Sequence, residues 1–325
     1  MNSFGRLFRV SLFGESHGAA VGVVIDGCPP GIAITEDDFE HDLSRRRSGA
    51  KGTTPRKEKD NPQIISGIFN GYTTGSPITL LFENNNTRSA DYDFKEKPRP
   101  GHADFVASRK YKGFEDPRGG GHFSGRLTVG LVAAGVVAKK IISGISVEAV
   151  LLEVGGSVDI EKTVEEALKN GDSVGGLLEC RVKKLPVGLG EPFFDSVESL
   201  ISHAVFAIPA VKAIEFGSGF EAAKMKGSQH NDNFTDEYGT TETNYASGIN
   251  GGITNGNDMV FRIAVKPASS ISKPQKTFNF KTKKREILQI KGRHDACIAL
   301  RVPPVLEAVT AIVLADLLLI EKSQR

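Results

Sequence analysis

The chain has 325 residues, 25% of them charged and 39% hydrophobic, with 41 basic against 39 acidic side chains and a formal charge of +2. That length holds one large domain or two with a substantial core, and near neutrality argues against a general nucleic-acid or membrane-surface binder, so any anion site must be a local cluster. Cys28, Cys180 and Cys297 are widely spaced, form no CxxC pair and have no histidine at ligand spacing, which argues against a disulfide framework and against a metal site.

The opening MNSFGRLFRV lacks the basic-then-apolar plan of a secretory leader, which makes the cytoplasm the expected compartment. Residues 6–13 (RLFRVSLF) and 19–26 (AAVGVVID) read as strands joined by GESHG, a tight turn carrying Glu15, Ser16 and His17. Ser16 beside His17 could orient the imidazole for acid–base work. Thr35 reads as the N-cap of a helix with three acids in its first turn and Phe39 and Leu43 inward, ending in Arg45, Arg46 and Arg47. A basic loop, SGAKG, follows. Strands are expected at 63–69 and 78–83.

Residues 99–126, RPGHADFVASRKYKGFEDPRGGGHFSGR, resist a packing explanation. His102, His122, Arg99, Arg109, Arg118, Arg126, Ser124 and the glycines 119–121 precede an apolar helical run at 127–142. Successive glycines let backbone N–H groups approach an anion, and arginine supplies forked donors for phosphate or carboxylate. The small residues Gly130, Ala133, Ala134 and Gly135 allow a second helix to pack closely. From 147 to 217 the pattern is strand, helix, strand, helix, strand, with His203 on the apolar face of the second helix beside Leu200 and Phe206. Residues 217–256 lack periodicity, as in a lid or binding loop. A strand at 259–265 feeds Lys266-Pro267-Ala268-Ser269-Ser270, a cation and two hydroxyls suited to phosphate. The apolar run 305–320 contains Glu307 and Asp316 and reads as a buried helix, not a membrane span. A glycine- or histidine-rich loop before a long apolar helix occurs at 119–142 and again at 292–320, which suggests an internal pseudo-duplication.

Taken together, GESHG at 14–18, RRRSG at 45–49, RPGHAD at 99–104, GGG at 119–121, KPASS at 266–270 and GRHDAC at 292–297 resemble the chorismate synthase family, in the family's order and along the whole chain. Two places depart from its commoner pattern: GGGHFSGRLT stands where many members read GGGRSSARET, and Ala296 replaces a proline.

The resemblance implies an α+β fold, a β-α-β sandwich with long central helices between antiparallel sheets, formed by residues 1–325 as one domain and assembled as a homotetramer. It implies a 1,4-anti-elimination of phosphate from 5-enolpyruvylshikimate 3-phosphate, giving chorismate, with reduced FMN as cofactor. NADPH would act only indirectly, because no dinucleotide-type GxGxxG follows a strand. By the same resemblance His17, His102 and Asp295 would be catalytic. Flavin contacts would come from His122, Phe123, Ser124, Pro209, Ala210, Gly251, Lys266, Pro267, Ala268, Ser269, Ser270 and Arg293, and substrate contacts from Arg46, Lys51, Arg99 and Arg126. A flavin-independent phosphate lyase and a phosphometabolite-binding protein are the competing readings. No nucleic-acid or membrane partner is expected.

Overall fold

In the computed structural model, which describes residues 2–49, 51–54, 58–86, 94–290 and 294–324, the alternating apolar runs form two antiparallel sheets. The first contains β1 (Ser3–Phe4), β2 (Arg9–Gly14), β3 (Ala20–Asp26), β4 (Gln63–Ser66) and, beyond a small hairpin of β5 (Ile68–Phe69) and β6 (Tyr72–Thr73), β7 (Ile78–Glu83); its order is β1-β2-β3-β7-β4. The second contains β8 (Ser146–Val154), β9 (Gly176–Lys183), β10 (Val211–Phe216) and, after the hairpin of β11 (Ile249–Asn250) and β12 (Ile253–Thr254), β13 (Met259–Val265), in the order β10-β13-β9-β8. Burial alternates along β13, so Met259, Phe261, Ile263 and Val265 face the interior. A separate hairpin, β14 (Gln275–Asn279) and β15 (Lys284–Leu288), has no counterpart among the expected elements.

The helices are α1 (Glu40–Arg46), α2 (Asp104–Lys110), α3 (Thr128–Ile141), α4 (Ile160–Lys169), α5 (Val197–Val205), α6 (Gly227–His230) and α7 (Pro303–Gln324). Two of them separate the sheets. α3 packs against β2, β3 and β7 on one side and against α7 on the other, while α7 packs against β8 and β9. Both are therefore buried around their whole circumference and have no polar stripe. The small residues of α3 do what their size suggests: a Cβ added to Gly135 would lie 2.3 Å from the Ala308 Cβ and 2.5 Å from its Cα.

Although α7 is long and apolar enough to cross a membrane, 78% of its most apolar window is buried inside the fold. Its two buried acids, Glu307 and Asp316, are partnered there, as burial of charge demands. Glu307 accepts both terminal nitrogens of Arg45 at 2.7 Å, Lys139 Nζ at 3.0 Å and the Ala149 N–H at 3.1 Å. Burial alone would raise its pKa, but Arg45 and Lys139 hold it below the usual carboxylate range. Asp316 accepts the backbone N–H groups of Arg6, Leu7 and Phe8, which ties the first strands to the last helix.

One expectation changes. His203 is not on the buried face of α5: it is exposed, with its ring edge-on to Phe4 at 5.3 Å, because Ile201, Ala204 and Val205 point inward instead. The stretch 217–256 is built from short elements and held by side-chain-to-backbone bonds, chiefly Asp232 accepting from Tyr245 and Ala246 N–H groups and Asn244 bridging Gly248 and Asp258. All three cysteines are free and buried, and burial pushes the Cys28 thiol up to about 11.

Gly135→Val should lower the unfolding free energy by roughly 1–3 kcal/mol in urea titration, since the added branch meets backbone that cannot yield. Gly227→Ala, where a Cβ meets nothing within 4 Å, should stay within about 0.5 kcal/mol of the parent.

Candidate active site

A cavity of about 490 Å³ opens where the β2–β3 turn, the end of α1, the RPGHAD loop, the glycine triplet, residues 266–270 and the segment leading into α7 converge. It gathers Arg46, Arg99, His102, Phe123, Ser124, Arg126, Pro209, Ala210, Lys266, Pro267, Ala268, Ser269, Ser270 and Asp295 from positions scattered through the sequence. Three positions singled out earlier, Lys51, Gly251 and His122, do not line it. Lys51 pairs with Glu165, and Gly251 sits in the β11–β12 turn, away from the cavity. His122 faces a neighbouring cavity of about 380 Å³, with Nδ1 on the Gly14 carbonyl and Nε2 on the Asn2 side chain. Arg293 lies outside the described residues.

The glycine triplet is a wall built from backbone. Gly119, Gly120 and Gly121 have φ of 59°, 82° and 53°, a left-handed run that side chains other than glycine rarely tolerate. The run wedges between two imidazoles. A Cβ on Gly119 would lie 2.5 Å from His17 Cδ2 and Nε2, and one on Gly120 would lie 3.6 Å from His102 Cε1. His17 is thus packed directly behind the wall, 8% exposed, and the Ser16 N–H fastens to the Gly121 carbonyl at 3.1 Å. Gly119 and Ser16 line the cavity itself.

The RPGHAD loop folds onto its own aspartate, a member that carried no assigned role. Asp104 takes Arg99 through Nε at 2.8 Å and Nη2 at 2.7 Å, and lies 2.6 Å from His102 Nδ1. His102 Nδ1 also lies 3.1 Å from Arg99 Nη2 and accepts the Asp104 N–H at 3.3 Å, while Nε2 lies toward the glycines. Burial alone would raise the Asp104 pKa, but Arg99 and His102 hold it far below the usual carboxylate range. Arg99 spends its remaining terminal nitrogen on Ser270 Oγ at 2.9 Å. Its guanidinium is therefore anchored before any ligand arrives.

Two further carboxylates hold the other arginines. Asp60, which sat unremarked in a charged run, is buried between Arg46 and Arg126 and bonds both. Burial would raise its pKa, but the two guanidiniums hold it below the ordinary value. Burial pushes Arg46 down to about 10, opposed by Asp60 and reinforced by Arg126 and Arg301, which leaves it cationic at neutral pH. Asp295 accepts Arg301 Nη2 at 2.9 and 2.7 Å and the Thr54 N–H at 2.9 Å. Arg301 was not among the expected residues, because it stands four residues past the GRHDAC stretch and outside that motif. The Nε atoms of Arg46 and Arg301 are buried without a partner among the described residues, as donors awaiting an anion would be. On the opposite side Lys266 Nζ bonds Ser269 Oγ at 2.7 Å and the Gly101 carbonyl at 3.1 Å. Burial and Lys212 lower its pKa.

A profile of the family described as chorismate synthase matches residues 8–319. The chorismate synthase of Chitinophaga pinensis is 66% identical over 324 residues, covering 99% of this chain and 98% of that protein. Those of Methanosarcina mazei and Pyrococcus abyssi are each 46% identical, covering 97% and 98% of this chain and 95% and 98% of theirs. A crystal structure of chorismate synthase superposes with a TM-score of 0.75 at 26% identity, covering 98% of this chain and 93% of that one.

Asp104→Asn should cost roughly 10²–10⁴-fold in turnover, because Arg99 and the imidazole lose the charged carboxylate that holds both. It should also change acid stability. A carboxylate depressed on folding stabilises above its unfolded value near ~3.9, and that contribution is lost as pH falls through the folded value. The urea midpoint of the parent should therefore fall more steeply than the variant's from about pH 5 downward.

Proposed function

This chain belongs to the chorismate synthase family, and on that premise, which makes it a carbon–oxygen lyase, we propose that the cavity binds 5-enolpyruvylshikimate 3-phosphate beside reduced FMN and eliminates phosphate to give chorismate. The observation that carries this reading is the convergence of Arg46, Arg99, Arg126 and Arg301 with His102 and Asp295 on one cavity. The substrate carries a phosphate and two carboxylates, and guanidinium forks match both groups.

The donor set also fits the cofactor. Lys266, Ser269 and Ser270 offer an ammonium and two hydroxyls to a phosphate, while Pro209, Ala210 and Phe123 offer flat apolar walls to a ring system. Reduced flavin, when bound, supplies electron density to the allylic system that no side chain could supply, and recovers it without net redox change. The protein's own residues do the rest. Arg46 and Arg126 bind the phosphate and stabilise charge as it departs. His17, packed against Gly119 at the edge of the cavity, is the group assigned to donate the proton that makes phosphate a better leaving group. His102, held by Asp104, presents Nε2 toward the cofactor edge. Asp295, held by Arg301 Nη2 and the Thr54 N–H, helps remove as a proton the hydrogen that the substrate loses from its other face. The apolar walls limit water around these charges.

In this reading Gly251 and Lys51 could touch a ligand only through a second copy or a rearranged loop, which accords with a homotetramer. The whole chain acts as one cytoplasmic domain with flavin reduced by an external donor. The two sheet-and-long-helix halves are its pseudo-duplicated parts.

Under strict anaerobiosis, phosphate release from the substrate should require FMN reduced by dithionite, be absent with oxidised FMN, and fall roughly 10²–10⁴-fold in His17→Ala. Release without any flavin would overturn the cofactor assignment.

A further inference from the structure

Asp60 sits in the cavity wall with 1% of its side chain exposed, between guanidiniums that are themselves 5% and 4% exposed. Its backbone has φ of 53°, in the left-handed region. Aspartate and asparagine tolerate that conformation far better than most residues with a Cβ. The local chain is thus bent to drive one carboxylate into an arginine cluster.

The two arginines it joins are not equivalent. Arg126 is also spent on the Asn84 side chain through Nε at 2.9 Å and on the Glu83 carbonyl through Nη2 at 3.1 Å. Arg46 has only a long contact from Nη1 to Thr128 Oγ1, at 3.4 Å, and a buried Nε with no partner among the described residues. Arg301 is close enough to lower the Arg46 pKa and also keeps a buried Nε with no partner among the described residues. In this corner Arg46, Arg126 and Arg301 face Asp60 and Asp295. Without Asp60, an arriving phosphate would meet a more positive corner that bound the departing phosphate as firmly as the substrate. Tight binding of ground state and product alike lowers KM without raising turnover.

We propose that Asp60 is a positioning residue and built-in counter-ion: it aims Arg46 and Arg126 into the cavity and limits their grip on phosphate, so that the anion leaves after elimination. This rests on reading the cavity as the site of a phosphorylated substrate. A merely structural Asp60 would, when replaced, loosen the arginines and weaken phosphate binding. A counter-ion, when replaced, strengthens it.

Asp60→Asn preserves shape and suits the left-handed backbone while removing the charge. Inorganic phosphate titrated calorimetrically into the FMN-loaded protein should bind on the order of tenfold more tightly than to the parent. KM for the phosphorylated substrate and kcat should fall together, with product phosphate becoming the stronger inhibitor. A folded Asp60→Asn protein that binds phosphate no more tightly than the parent overturns the proposal. Should Asp60→Asn not fold, Arg126→Gln is compared with the double variant Asp60→Asn/Arg126→Gln, which removes both halves of a buried pair. The double variant must bind phosphate more tightly than Arg126→Gln alone, and equal or weaker binding overturns the proposal. Parent protein that neither binds phosphate nor turns over the substrate contradicts the reading of the site itself, a result distinct from intact parent binding with no change in the variants.

Discussion

A cavity meant for a molecule with several negative charges must hold its guanidiniums apart and aimed before that molecule arrives, and here carboxylates do the holding. Asp104 fixes Arg99, Asp60 joins Arg46 to Arg126, and Asp295 takes Arg301. Each pair is largely desolvated, so each carboxylate would be costly alone and each arginine would repel its neighbours. Paired, they form a preorganised set of donors whose net charge is small enough to release what it binds. Asp104 does double duty, because the same carboxylate holds both Arg99 and His102.

The scaffold that makes this possible is the helix pair between the sheets. α3 and α7 approach closely only because Gly135 meets Ala308, and their N-terminal ends bring Arg126 and the 294–301 segment to one rim of the sandwich. Polar groups inside that layer are few and fully engaged. Glu307 gathers α1, α3 and β8 through Arg45, Lys139 and Ala149, and Asp316 closes the chain's ends upon each other. The reacting groups can therefore sit on short, irregular loops without being loose.

Much of this was legible in the residues. Periodicity located the strands of both sheets, and the small residues of 130–135 announced a close helix crossing. Motif chemistry located His102, Arg46, Arg99, Arg126 and the 266–270 loop. What escaped was pairing over long separations. Asp60 looked like one more charge in a solvated run, and nothing local shows that Arg46 and Arg126 enclose it. Arg301 carried no motif of its own. His203 misled because neighbours three residues away on a helix define a face, but only the packing of Ile201 and Val205 shows which face is inward. The order within 217–256 escaped because it comes from Asp232, Asn244 and Ser247 bonding to backbone, which leaves no periodic trace.

The most direct measurement is a crystal structure with FMN and the phosphorylated substrate bound. The account predicts the substrate phosphate against Arg46 in the cavity of about 490 Å³, with Asp60, Asp104 and Asp295 still paired to their arginines and His102 Nε2 turned toward the ligands. A phosphate seated in the neighbouring cavity beside His122, or arginines swung off their carboxylates to reach it, would contradict a site preorganised by ion pairs.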